Sequence, residues 1–144
     1  MMARWHEAIF PVCEEMNVAY VAFSPLANGI LSGKYTPDTK FEGSQDYRSG
    51  MPQYTKEGYA KAKGLLELLS RLAEEKHATM GQISLAWMLC KKPYIVPIPG
   101  SRKIERLKEN FGAGSIALSA AEVADIDAKL DTMSFDVFGG HTAK

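Results

Sequence analysis

Tyr94-Ile95-Val96-Pro97-Ile98-Pro99-Gly100-Ser101-Arg102-Lys103-Ile104-Glu105-Arg106-Leu107-Lys108-Glu109-Asn110 decides the reading of this chain. Tyr94 to Ile98 is a short apolar run of strand type, with Pro97 tolerable near a strand end. Pro99-Gly100-Ser101 turns the chain, and Lys103 to Phe111 has helical spacing. A strand end, a glycine turn and a helix N-terminus place backbone N–H groups and the positive end of a helix dipole at one point, which suits a phosphate. Ser101, Arg102, Lys103 and Arg106 add a hydroxyl and three cations within about two turns. On spacing alone the same residues also describe an N-capped helix with solvated basic side chains.

A second strand-to-loop passage lies upstream. Val18 to Phe23 is apolar, rich in β-branched and aromatic residues, and stops at Ser24-Pro25. It reads as a strand buried on both faces. Before it, Trp5, Ile9, Val12, Cys13 and Met16 recur at helical steps, with Pro11 bending the axis and Asn17 ending the helix. Helix then strand is an αβ unit. The strand runs into Ser24-Pro25-Leu26-Ala27-Asn28-Gly29-Ile30-Leu31-Ser32-Gly33-Lys34, whose glycines would let backbone approach a ligand and whose Phe23 could stack on a flat ring or simply fill a core.

Ala27 to Thr55, punctuated by glycine and proline, reads as a long loop. Glu57 to Lys76 resumes helical spacing through Leu65, Leu68, Leu69 and Leu72. Thr79-Met80-Gly81-Gln82 is a capping box opening a helix that buries Ile83, Ala86, Trp87 and Cys90, and Ser119-Ala120-Ala121-Glu122 is a second one opening a helix with Val123, Ile126 and Leu130 on one side. The tail from Ser134 to Lys144 has little periodicity and is expected to be loose or draped over a neighbour.

Alternating α and β with only two strands implies an α/β fold with a parallel pair. Two parallel strands leave unpaired edges and an apolar face, and a full (β/α)8 barrel takes about 250 residues against the 144 present. The expectation is therefore one domain over residues 1–144, the C-terminal portion of a TIM barrel, self-associating through its exposed edges. Met1-Met2-Ala3-Arg4-Trp5-His6 falls almost inside a helix, which suggests truncation.

Seventeen basic residues balance seventeen acidic ones, so no global field draws the chain to nucleic acid or an anionic membrane. No apolar run approaches the roughly 20 residues of a membrane span, and no basic-then-apolar leader precedes the first helix, so a cytoplasmic location is expected. Cys13 and Cys90 lack metal-ligand spacing and read as buried thiols; no metal is expected. His6, His77 and His141 read as solvated or capping residues, and none of the six tyrosines sits where a proton donor would be built.

The two strand-to-loop passages closely resemble the aldo-keto reductases, particularly the bacterial and fungal branch with a Ser-Pro-Leu loop after strand seven and Pro-Gly-Ser or Pro-Gly-Thr after strand eight. The resemblance runs from about His6 to Leu130. It implies an NADPH cofactor, with Phe23 against nicotinamide and Ser24, Leu26, Gly29 and Leu31 along the pyrophosphate. It also places Gly100 at the strand-eight turn, Ser101, Arg102 and Arg106 at the adenosine 2′-phosphate, and Glu109 and Asn110 at adenine. Ala27 and Asn28 stand where many relatives have glycine and a basic residue. The family reduces aldehydes and ketones with an Asp-Tyr-Lys-His tetrad belonging to the first half of the barrel. The resemblance therefore implies no catalytic residue in this chain and a carbonyl substrate only in the full-length parent. The alternatives are a non-catalytic module that binds dinucleotide weakly or only assembles with another chain, and a ligand-free helical scaffold. The Ser32 to Thr55 segment gives no pocket shape from which to name a substrate.

Overall fold

The computed structural model describes residues 4–41 and 46–133, together with the backbone of 136–137 and 141–142. A 3-10 segment, Arg4–Ile9, leads into α1, Phe10–Glu15. Pro11 explains the change of pitch, because in the first turn of α1 its missing N–H is not needed and its fixed φ suits the helix. Asn17, at φ 52°, turns the chain out. β1 is Tyr20–Ala22 and β2 is Ile95–Pro97; they pair in parallel, with Tyr20 opposite Ile95 and Ala22 opposite Pro97.

Between the strands the chain makes 3-10 turns at Ala27–Ser32, Tyr47–Gly50 and Pro52–Tyr54, then α2, Lys56–Glu75, and α3, Met80–Lys91. After β2 come α4, Ile104–Gly112, and α5, Ala120–Asp131. Both capping boxes are present: Thr79 accepts from the Gln82 N–H at 3.2 Å and Gln82 returns to the Thr79 N–H at 3.0 Å, and Ser119 and Glu122 do the same for α5. Each box satisfies two end groups that a helix cannot pair internally. The expectation of a loose tail falls mostly outside the described residues; Asp136–Val137 pairs antiparallel with His141–Thr142.

The core forms where α2 and α3 cross behind the strands. Leu65, Leu69 and Leu72 of α2 meet Ile83, Leu85 and Trp87 of α3, with Ile30 and Leu31 beneath and Ile126 and Leu130 closing from α5. Helices thus cover one face of the strand pair. The expectation of strands buried on both faces is corrected: Val21, Phe23, Val96 and Ile98 are 56%, 60%, 47% and 53% exposed. Their apolar character is what a sheet covered on both sides requires, yet the described residues leave all four exposed. Cys13 is buried as expected, but Cys90 is exposed, because the turn carrying Ile116 and Leu118 passes beside the thiol without covering it.

Candidate functional site

Parallel pairing puts the C-terminal ends of both strands at one edge. The Ile98 N–H donates to the Ala22 carbonyl at 3.1 Å, so the loops beginning at Phe23 and Pro99 leave the sheet side by side. Phe23 stands largely exposed at this edge, with the His6 ring edge-on at 5.9 Å. His6 also lies 6.4 Å from Tyr20, and burial lowers its proton affinity below that of ordinary histidine. Its ring is partly buried among aromatic side chains, a placement without a local signature because Tyr20 and Phe23 lie on and just after the next strand.

The loop after β1 is unusual backbone. Ser24, Ala27 and Asn28 take φ of 47°, 47° and 60°, in the left-handed region that costs a side-chain-bearing residue on the order of 1–2 kcal/mol each, and Gly29 follows at 107°. Internal bonds hold the turn: Ala27 N–H to Ser24 carbonyl, Gly29 N–H to Leu26 carbonyl, and the Ser32 hydroxyl to the Gly29 carbonyl at 2.6 Å. Leu31 is fully buried and its N–H donates to Leu26, so what Gly29 and Leu31 offer a ligand is shape rather than hydrogen bonds. Gly29 is required for another reason as well: a Cβ there would lie 2.9 Å from the Tyr35 ring.

The loop after β2 is open. A Cβ on Gly100 would meet nothing within 4 Å, and Ser101 and its neighbours up to Lys103 lie at the surface without regular structure. Ser101 Oγ accepts from the Lys103 N–H at 3.1 Å, ahead of α4, and no side chain caps α4 itself. Among the described residues the ion pairs engage Arg4, Arg48, Lys61, Lys63, Arg71, Lys76, Lys91 and Lys92, and none engages Arg102, Lys103 or Arg106. The N-capped alternative is therefore set aside in favour of an uncapped helix start flanked by three cations without acidic partners. Such a start is competent for an anion.

The N-terminus of α3 joins the two loops. A Cβ on buried Gly81 would sit 3.7 Å from Leu26 and 3.9 Å from Glu109 Oε1, so the first loop and α4 both border this turn. Glu109 accepts from the Thr79 hydroxyl at 2.8 Å and its carbonyl accepts from the Gln82 amide at 2.9 Å, which fixes α4, while Asn110 beside it is half-buried. From α3 the buried Ser84 hydroxyl donates to the Pro25 carbonyl at 3.3 Å. A serine on an otherwise apolar helix face, between Ile83 and Leu85, is the signal that would have found this contact.

Among the described residues no group of three histidine, cysteine or acidic side chains is placed to hold a metal ion, and no helix is long and apolar enough to cross a membrane.

The family model described as Aldo/keto reductase family matches residues 1–131. Aldo-keto reductase str7 of Strobilurus tenacellus is 38% identical over 119 residues, 83% of this chain and 35% of the relative. Aldo-keto reductase yakc [NADP(+)] of Schizosaccharomyces pombe is 39% identical over 124 residues, 85% of the chain and 36% of the relative. Among solved structures, the glycerol dehydrogenase AKR11B4 from Gluconobacter oxydans superposes with a TM-score of 0.71 at 27% identity, over 85% of this chain and 37% of that one. A thermostable aldo-keto reductase crystallised with the inhibitor epalrestat gives 0.57 at 26% identity, over 88% and 35%. The chain spans about 35% of the length of these relatives, and its parallel pair with packed helices is part of their TIM barrel. By sequence and by fold, this chain belongs to the aldo-keto reductase family.

Proposed function

We propose that the strand-end surface is the dinucleotide half-site of an NADPH-dependent oxidoreductase, and that the whole enzyme transfers hydride to an aldehyde or ketone. The observation that carries this reading is the start of α4, without a side-chain cap, beside three cations that no ion pair among the described residues engages. Arg102 and Arg106 offer fork-shaped, permanently charged donors to a phosphate monoester, and Ser101 offers a hydroxyl at the same turn. Such a set discriminates for a 2′-phosphate, which NADPH has and NADH lacks. One relative carries NADP(+) in its name. Phe23 presents a flat apolar face where the two loops diverge, suited to stacking on a planar ring. Leu26 and the left-handed turn behind it shape the path between these points. Bound NADPH supplies the hydride; this chain's residues orient it and exclude water from one side of it. The proton taken up by the carbonyl oxygen is assigned to no residue of this chain.

Cofactor fluorescence during titration tests the reading. Micromolar NADPH binding, at least tenfold weaker binding of NADH, and loss of that preference in Arg106→Ala are expected. Equal affinity for both cofactors would overturn the 2′-phosphate assignment.

A second reading, assembly with another copy, is favoured by the exposed Val21, Val96 and Ile98 on a sheet that, among the described residues, has two strands and two open edges. Unpaired strand edges and contiguous apolar surface drive association. Sedimentation velocity should show dimers or larger species that the double variant Val96→Thr, Ile98→Thr weakens; a monodisperse monomer at high concentration would refute it.

A further inference from the structure

We propose that Tyr54, far along the 32–55 segment, is a positioning residue that holds the dinucleotide loop in its left-handed form by hydrogen bonding the backbone of Asn28. The inference rests on the cofactor reading above and adds a residue outside the two loops that reading uses.

The Tyr54 hydroxyl donates to the Asn28 carbonyl at 2.8 Å. Asn28 is the central left-handed residue of the turn, and its carbonyl precedes Gly29. Two other contacts to Asn28 are long: Gln53 Nε2 to Asn28 Oδ1 at 3.4 Å, and Asn28 Nδ2 to the Tyr47 hydroxyl at 3.3 Å. Hydrogen bonds weaken toward these lengths, so among the side-chain contacts to Asn28 the Tyr54 bond is the short one, and it holds the carbonyl side of the same peptide whose Gly29 N–H donates to the Leu26 carbonyl at 2.8 Å.

What holds Tyr54 is a stack of rings. It meets Phe41 edge-on at 4.5 Å, Tyr35 at 5.8 Å and Tyr59 at 6.1 Å. The Arg48 guanidinium lies 4.6 Å over Phe41 and 5.0 Å over Tyr35, donates to the Tyr35 hydroxyl at 2.6 Å, and is itself held by Asp46. Tyr35 in turn fills the space beside Gly29. Tyr35, Phe41, Arg48 and Tyr54 thus form a buttress whose Tyr54 hydroxyl is aimed at the strained turn. Burial raises the Tyr54 hydroxyl well above the usual tyrosine range, so it remains a donor at any physiological pH.

Tyr54→Phe keeps the ring stack and removes only the donor. Two probes separate a positioning effect from general loosening: NADPH, which must follow the whole loop, and 2′-AMP, which needs only the α4 end. The expected result is NADPH binding weakened on the order of tenfold with 2′-AMP binding unchanged, and no effect on either probe from Tyr47→Phe, whose bond is long. Unchanged NADPH affinity in Tyr54→Phe would overturn the inference while leaving the cofactor reading intact. Equal weakening of both probes, or an equal effect of Tyr47→Phe, would also overturn it. A wild-type chain that binds neither probe would refute the cofactor reading itself, and this inference with it.

Discussion

Lys91 offers the sharpest energetic test of how this chain is held together. Its ammonium lies 2.9 Å from both carboxylate oxygens of Asp127, 2.8 Å from Glu7 and 4.6 Å over the Trp87 ring, with its side chain only 11% exposed. The network extends through Trp87, whose indole N–H donates to Asp127 at 2.9 Å, and Arg4, which binds Glu7, Asp131 and the Asp127 carbonyl. It thereby ties the N-terminal segment to α3 and α5. Lys91→Met keeps most of the stem but leaves two carboxylates facing each other without the cation between them. Breaking a fully buried pair costs about 3–5 kcal/mol, and an exposed one about 0–1. Glu7 and Asp127 are 22% and 25% exposed and each keeps another donor, which places the expected loss near 2 kcal/mol. At this chain length, 144 residues, that is a Tm decrease of about 6–7 °C. Urea unfolding followed by tryptophan fluorescence measures it, with Lys63→Met as control. Lys63 sits 3.8 Å from Glu67 with both side chains about two-thirds or more exposed, and its loss should stay within about 0.5 kcal/mol. A Lys91→Met loss below about 0.5 kcal/mol, or one equal to the control, would refute the claim that the clamp stabilises the chain.

Three further outcomes are expected. Ala27→Gly should raise stability by about 0.5–1 kcal/mol in thermal unfolding, because φ 47° strains alanine more than glycine's extra unfolded-state freedom costs; a decrease would contradict the assigned backbone. Gly58→Ala should destabilise by about 2 kcal/mol or more, although alanine is the better helix former. Its Cβ would strike the Pro52 carbonyl and lie 2.8 Å from Gln53 Cα, backbone that cannot yield, and a stabilised variant would show that the packing is looser than described. Finally, Glu122 is held below its ordinary value of 4.5, first by its bond to Lys76 and then by the Ser119 N–H. A carboxyl depressed by folding contributes stability that is complete above its unfolded value and is lost as pH falls through the folded one. Urea midpoints should therefore drop as pH falls below the ordinary Glu122 value of 4.5, less steeply in Glu122→Gln; identical slopes would assign the acid sensitivity elsewhere.

The parts of the fold that depend on neighbours within four residues were legible in the sequence. Thr79 with Gln82 and Ser119 with Glu122 announce helix starts because cap and acceptor are three residues apart. The α2 leucines announce its buried face for the same reason. Contacts from afar were not legible. Val21, Val96 and Ile98 have the composition of doubly covered strands, and composition cannot show that the described residues leave this face exposed. Ser24 and Ala27 carry no sign of a positive φ, since neither residue favours it; the turn is imposed by Ser84 beneath Pro25 and the bonds around Asn28. The buttress of Tyr35, Phe41, Arg48 and Tyr54 lay hidden in what read as an unstructured loop, because its ring contacts span six to nineteen positions. At the candidate site, Ser101, Arg102 and Arg106 were readable as a cluster because they sit within two turns, whereas the juxtaposition of Leu26 and Glu109 across Gly81 needed the fold.

The central claim is that the two strand-end loops together form a dinucleotide site, and amide chemical shifts during NADPH titration of the whole chain test it most directly. Perturbations are expected to concentrate at Phe23 to Leu31 and at Gly100 to Arg106, and to be absent at the α4 end in Arg106→Ala. Perturbations centred elsewhere, or confined to one of the two loops, would contradict it.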